Sequence, residues 1–323
     1  MPPRLSVIIP SRNGLDTLPR AVGSALAVPV ADLEVIVVDD GSTDGTGAWL
    51  AEQHARDNRV IGLRRDSDHG VSAARNAGIS AARAPVLAFL DADDMWHPEP
   101  YARRLAWHEA NPATALSFAN YQTLLPDGTL QDRYMAYCPR FQRFVGTRTG
   151  ILPLGAESFS LLVGENPVCT SSVMASRDAV RAAGSFDVTL RQAEDWDLWI
   201  RLAKTGGAAA STEIELLHAD RPGSLSHKVA ERVAFMRQVV LRHRPDAWRR
   251  APGAAMAAGC LLAQAEAELA MRQGRNATAF MRLAAAMAWQ PSVQHLRDAL
   301  RAGLVVAGLK APLPLSHGHS GQT

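Results

Sequence analysis

Residues 33–46 read LEVIVVDDGSTDGT, and residues 86–97 read VLAFLDADDMWH. Each is a short apolar run that stops abruptly at carboxylates and turn formers, the pattern of a strand buried on both faces. Working outward, LSVIIP at 5–10, VIGLRR at 60–65 and ATALSFA at 113–119 repeat that pattern. Segments of helical character lie between them, at 15–27, 43–56, 71–82 and 98–110. Apolar strands alternating with helices predict an α/β protein with a mostly parallel sheet flanked by helices. Ser42 and Thr43 are placed to cap the second helix, and Pro98 to stand in the first turn of the fourth.

The rest of the chain is less regular. Residues 121–166 are rich in Tyr, Phe, Pro and Arg and read as extended loops and short strands, whereas 176–183 and 193–204 read as helices. From about residue 229 the composition turns to alanine. The segments 254–274 and 276–291 form a predicted helical hairpin about Gly274, a third helix follows, and HGHSGQT at 317–323 reads as a disordered end. The expected division is therefore 1–228, in two halves at 1–120 and 121–228, followed by an α-helical C-terminal extension at 229–323.

Composition excludes several classes. Cys138, Cys169 and Cys260 are widely spaced and form no C-x-x-C pair, which argues against a disulfide framework or a zinc site and fits a reducing compartment. MPPR leads into LSVIIP, an apolar run too short for a signal-peptide core, and no run of 18 apolar residues exists, so a cytoplasmic location is expected. The net charge of +2 hides an asymmetry: residues 221–323 hold 14 Lys+Arg against 5 Asp+Glu. A basic tail of that kind suits peripheral contact with the inner face of an anionic membrane, or is a solvated helical surface. No nucleic-acid partner is expected.

The chemistry gathers at the strand ends, where parallel α/β sheets bind ligands. The first predicted strand ends in Pro10-Ser11-Arg12-Asn13, the second in Asp39-Asp40-Gly41-Ser42 and the fourth in Asp91-Ala92-Asp93-Asp94. Five carboxylates on two neighbouring ends repel one another unless a cation offsets them, and Mg²⁺ or Mn²⁺ prefers such oxygens together with substrate phosphates. Turn and cap chemistry accounts for one acidic end but poorly for two. No Walker A sequence and no G-x-G-x-x-G after a strand is present.

The ordered set SVIIPSRNG, LEVIVVDDGSTDGT, HGVSAARNAGI, VLAFLDADDMWHP, GSFD and EDWDLWIRLA resembles family 2 glycosyltransferases of the GT-A fold across residues 4–225. The resemblance implies transfer of a sugar from a nucleotide-diphosphate donor, UDP by preference, to a hydroxyl of a glycan or lipid-linked acceptor. It implies that Pro10, Ser11 and Asn13 shape the loop beneath the nucleotide, that Asp40 accepts from the base, and that Gly70 lets the backbone approach. Arg75 and Arg221 would reach the pyrophosphate. Asp91-Ala92-Asp93 would be the DXD motif, with Asp91 facing ribose or sugar and Asp93 holding the metal, assisted by His218. Arg12 stands where the family often has Tyr and would stack or pair with phosphate. Cys169-Thr170-Ser171-Ser172 falls where the family lines the acceptor floor. Asp195, with Glu194, would be the base of an inverting displacement, its proton affinity raised by the neighbouring Trp196 and Trp199. The alternative for this pair is complementing a helix N-terminus. Asp94 is an extra carboxylate, open to capping the helix of Pro98. Two other functions fit the fold: a nucleotidyltransferase, for which SRNG lacks a triphosphate-gripping lysine, and a non-catalytic scaffold, which typically loses the carboxylates present here.

Overall fold

The computed structural model describes residues 2–132, 138–221 and 228–289. They fall into two compact units that divide between residues 227 and 228. The polar end at 317–323 and the third tail helix lie outside the described residues.

The first unit runs β1 (Leu5–Ser11), α1 (Leu18–Leu26), β2 (Leu33–Asp40), α2 (Thr46–Arg56), β3 (Val60–Arg65), α3 (Val71–Ala81), β4 (Val86–Phe89), β5 (Met95–Trp96), α4 (Pro98–Ala110) and β6 (Leu116–Leu124). It continues with β7 (Leu130–Asp132), α5 (Pro139–Val145), β8 (Ile151–Pro153), α6 (Ser158–Gly164), β9 (Met174–Ser176), α7 (Arg177–Ala182), α8 (Glu194–Thr205) and β10 (Ala208–Ala219). The strand order is β3-β2-β1-β4-β9-β6-β10-β5, with β7 on β6 and β8 on β10. The long ladders, β2–β3, β1–β2, β1–β4 and β6–β10, are parallel. Short β9 runs antiparallel to both β4 and β6 and joins the two parallel blocks.

Both faces of the sheet are covered, as the continuous apolar strands require. Ile8, Ile36, Val38 and Phe89 face one layer with α3 and α8, where Phe89, Phe186 and Trp199 meet at centroid distances of 5.4–5.8 Å. Val7, Ile9, Val35 and Val37 face the opposite layer with α1 and α4. Helix α3 lies so close to β1 that a Cβ on Gly78 would come within 2.5 Å of Ile8 Cγ2.

Some local expectations need correction. Ser42 and Thr43 do not cap α2; its N-cap is Gly45, at φ +91°. Ser42 Oγ is occupied by the Asn13 N–H at 2.8 Å, and Asp44 Oδ1, nearer the helix, accepts from Thr46 N (3.1 Å) and Oγ1 (2.6 Å). Asp94 does not cap α4, which starts behind His97 with Pro98 in its first turn. The region 121–166 contains two short helices as well as strands. The twelve-residue β10 has no counterpart in the sequence reading, because AAASTEIELLHA offers few β-branched residues.

Arg104 of α4 anchors the second block. It is fully buried; Nε donates to Glu215 Oε2 (2.7 Å), Nη1 to Ser117 O and Oγ (3.0 Å each) and Nη2 to Ser172 O (2.6 Å). One guanidinium thereby ties α4 to β6, β10 and the turn before β9. Next to it, His108 is buried with Nδ1 3.3 Å from Ser117 Oγ, and burial beside Arg104 lowers its pKa to about 4.

Among the described residues, the second unit by itself holds three helices: α9 (Val229–Arg250), α10 (Pro252–Arg272) and α11 (Asn276–Trp289). The predicted hairpin about Gly274 is present, and α9, which carries Pro245 inside it, precedes it. Ala267, Ala270 and Ala279 pack with Leu283, small residues that let the helices approach closely.

Replacing Arg104 by Leu leaves Glu215 buried and unpaired, so urea unfolding is expected to show a loss of about 3–5 kcal/mol; a loss below about 1 kcal/mol would contradict the anchoring role. Since the folded pKa of His108 lies below its ordinary 6.5, this group's stabilisation is complete above about pH 6.5 and is lost as the pH falls toward 4. The urea midpoint of His108→Gln should therefore fall less steeply across that window than that of the native chain, and parallel slopes would count against it.

Candidate active site

Parallel strands β1, β2 and β4 end on one edge, and their terminal loops are stitched together. Asn13, in the left-handed region at φ +50°, donates its N–H to Ser42 Oγ and accepts from Thr43 N at Oδ1 (2.8 Å each). Pro10 and Ser11 lie beside Val38 and Asp39 in register, and Ser11 Oγ is buried without a hydrogen-bond partner. Asp40 is buried; its Oδ2 accepts from the N–H groups of His69 (3.1 Å) and Gly70 (3.0 Å). Its Oδ1 has Arg65 Nε at 3.4 Å but no hydrogen bond. Gly70 opens α3 at φ +87°, a conformation that favours glycine. Ala92 is partly buried against the core beneath this edge.

The second cluster forms where β4 meets α8. Arg75 of α3 is 4% exposed, with Nη2 donating to Asp91 Oδ1 and Nη1 to Glu194 Oε1, both at 2.7 Å. The expected pyrophosphate contact is thus, in this structure, an internal bridge between the DXD strand end and the predicted base pair. Asn76 fixes the incoming loop by donating to Phe186 O (2.8 Å) and accepting from Phe186 N (3.0 Å). Ala193, just before Glu194, sits at φ +58°, a strain of about 1 kcal/mol or more for a residue with a Cβ. Asp195 Oδ2 accepts from Thr170 Oγ1 (2.8 Å), and Ser171 Oγ accepts from Asp91 N (3.0 Å). The turn at 170–172 therefore touches the Asp195 carboxylate and the backbone of Asp91.

The indoles are placed differently from expectation. Trp196 and Trp199 are buried, Trp196 Nε1 donates to Leu162 O (2.6 Å), and Trp199 packs on Phe89 and Phe186. They hold α8 in place, and it is Glu194, buried and next to Asp195, whose proton affinity rises despite Arg75. Asp93 is raised to about 6 by burial, Asp94 and Asp91. Asp94 is 1% exposed and accepts from Ala219 N (2.9 Å), with His218 Nδ1 3.0 Å from the same oxygen. That partner raises His218 to about 9 against the opposing effect of burial.

Arg12 is ion-paired with Asp68, and Arg221 with Asp16, both at the surface; residues 222–227 of the loop after Arg221 lie outside the described residues. Thr170 and Ser171 were legible only as a run of small hydroxyl residues, and Asp94 only as a third acid in DADD.

A sheet of this order, with acidic ends on β2 and β4 and a facing carboxylate pair on α8, defines the GT-A class of glycosyltransferases. Residues 6–161, just under half of the chain, match Glycosyl transferase family 2. TuaG of Bacillus subtilis is 34% identical over 133 residues, 41% of this chain and 52% of that one, so the chain spans about half the length of that relative. The succinoglycan biosynthesis protein ExoO of Rhizobium meliloti is 28% identical over 98% of this chain and 84% of its own. The Escherichia coli UDP-Glc:alpha-D-GlcNAc-diphosphoundecaprenol beta-1,3-glucosyltransferase WfaP is 27% identical over 69% of this chain and 79% of its own. The fold is shared with S. aureus TarS 1-349 in complex with UDP-GlcNAc (TM-score 0.62, 15% identity, 98% of this chain and 95% of that one). It is shared also with the Pyrobaculum calidifontis mannosyltransferase PcManGT in complex with GDP-Man and Mn²⁺ (TM-score 0.59, 20% identity, 97% and 82%).

Arg75→Met removes the charge between Asp91 and Glu194. Urea unfolding is expected to show a loss of about 3–5 kcal/mol, with Arg75→Lys intermediate because an ammonium cannot bridge both carboxylates as a planar fork does. Equal stability of the three proteins would contradict the bridging role.

Proposed function

We propose that the protein is an inverting, metal-dependent glycosyltransferase that moves a sugar from a nucleotide-diphosphate donor, UDP-sugar by preference, to a hydroxyl of a glycan or lipid-linked acceptor. The observation that carries this reading is that Asp91, of the acidic strand end, and Glu194, next to Asp195, meet across Arg75. The donors named for TarS and PcManGT and the lipid-linked acceptor in the name of WfaP agree with it.

In this reading the loops tied by Asn13 and Ser42 form the floor under the nucleotide. The unbonded Oδ1 of Asp40 accepts a base N–H, and the backbone at Gly70 approaches the ribose or phosphate. Asp93, with Asp91 and His218, holds Mg²⁺ or Mn²⁺. The residues fit such an ion: Asp93 is already raised by its acidic neighbours, and a hard dication offsets that repulsion. When bound, the ion neutralises charge on the departing nucleoside diphosphate. Asp195, oriented by Thr170, takes the proton of the acceptor hydroxyl as that oxygen attacks the anomeric carbon opposite the phosphate. One displacement from that side inverts the configuration. Arg75 and Glu194 hold the two halves in register, so the base and the leaving group stay aligned.

Peripheral membrane contact belongs to the same reading. No described helix is long and apolar enough to cross a membrane, whereas α9 exposes Leu241 and Trp248 on a helix that also carries Arg242, Arg244 and Arg249. Co-sedimentation with phosphatidylglycerol vesicles tests this part, and a native chain left in the supernatant removes it.

The direct test is release of nucleoside diphosphate from a panel of nucleotide sugars with Mn²⁺ or EDTA. Turnover of one donor, abolished by EDTA and reduced at least about a hundredfold in Asp93→Ala and Asp195→Asn, is the expected outcome. Folded protein that turns over no donor, or variants as active as the native chain, would sink the proposal.

A further inference from the structure

Asp94 and Cys169 have no task in the transfer reaction, yet they stand together at its edge. Asp94 uses Oδ1 toward His218 and Ala219, while Oδ2 is buried with no hydrogen-bond partner. A carboxylate oxygen enclosed in that way is costly unless a cation or donor meets it. An oxygen of Asp94, a ring nitrogen of His218 and Cys169 Sγ all lie within 4.8 Å of one another. Cys169 is a free, half-buried thiol, and three negative side chains, Asp94, Asp91 and Asp195, act on it.

A sulfur, an imidazole nitrogen and a carboxylate oxygen make a donor set that Mg²⁺ does not seek and that Zn²⁺ accepts as three corners of a tetrahedron. With zinc–ligand distances of about 2.0–2.3 Å, tetrahedral donors stand ~3.5 Å apart, so these atoms need to close by roughly an ångström. The half-exposed thiol and imidazole have the freedom to do so, while Asp94 is fixed by the Ala219 N–H. The excess of carboxylate over Arg75 and His218 in this cluster favours a second positive charge.

We propose that Asp94, Cys169 and His218 form a site for a thiophilic divalent cation, zinc by preference, next to the DXD carboxylates, and that zinc held there inhibits the enzyme. Binding forms bonds from zinc to sulfur, nitrogen and oxygen, and the thiol proton leaves to solvent. The cation takes His218 away from the donor metal, and its charge competes with the Mg²⁺ or Mn²⁺ at Asp93. The inhibitory part rests on the transferase reading; the binding part does not.

The test titrates the metal-stripped full chain with Co²⁺ as a spectroscopic stand-in for zinc. A thiolate-to-cobalt charge-transfer band is expected in the native chain and in Asp93→Asn, and not in Cys169→Ser. No band in the native chain, or an equal band in Cys169→Ser arising from Cys138 or Cys260, overturns the site. Should Cys169→Ser fail to fold, alkylation of the native chain by iodoacetamide decides: Zn²⁺ but not Mg²⁺ is expected to protect Cys169, and equal modification overturns the proposal. Inhibition is read as the ratio of donor turnover with and without Zn²⁺. Its midpoint should move by about tenfold or more in Cys169→Ser, the range that even outer-shell changes produce at metal sites. An unmoved midpoint beside a cobalt band confined to the native cysteine overturns the inhibitory part alone, and a chain that binds cobalt but turns over no donor indicts the transferase reading instead.

Discussion

The two ion pairs of Arg75 are the interaction on which the rest of the site depends. Strand β4 delivers Asp91, and helix α8, more than 100 residues later in the chain, delivers Glu194. Both carboxylates are drawn to one guanidinium that is almost sealed from solvent. A buried charge of that kind is tolerable only when it is paired and its donors are used, so the position of Arg75 fixes the distance between the donor side and the acceptor side. The packing around it serves the same end: Phe186 lies under the guanidinium at 5.3 Å, and Asn76 clamps the Phe186 backbone.

That arrangement carries an electrostatic consequence. Among the described residues, Arg75 and His218 are the cations paired into the group Asp91, Asp93, Asp94, Glu194 and Asp195, and burial together with acidic neighbours raises the proton affinities of Asp93 and Glu194. A protein optimised for stability alone would not collect five acids against two bases. The positive φ of Ala193 at the entry to α8 is a second local cost in the same place. Costs that coincide at one edge of a sheet mark it as the functional edge, and a cation bound with a diphosphate is a ligand that converts this repulsion into affinity.

Much of this was legible in the sequence. Strands β1, β2 and β4 announced themselves because both of their faces are covered, so VIVV and VLAF carry no polar interruption. The acidic strand ends stood out because they break those runs. What the sequence hid was non-local. Ala208–Ala219 could not be recognised as a strand, since its place is set by pairing with β6 on one side and β8 on the other rather than by its own propensity. Ser42 does not cap α2 because Asn13, 29 positions away, takes its hydroxyl. Trp196 and Trp199, three apart, were read as a wall beside the base, but on this helix their rings complete the core. Asp94 could not be separated from its neighbours until the end of β10 brought His218 against it.

The central claim is that the cluster at Asp91 and Asp93 lacks positive charge until a dication and a nucleoside diphosphate arrive together. Binding of Mn²⁺ to the purified full chain, followed by water-proton relaxation with and without UDP, tests it most directly. UDP should strengthen Mn²⁺ binding to the native chain and leave Asp93→Ala unaffected. Mn²⁺ binding that is indifferent to UDP, or identical in the two proteins, would contradict it.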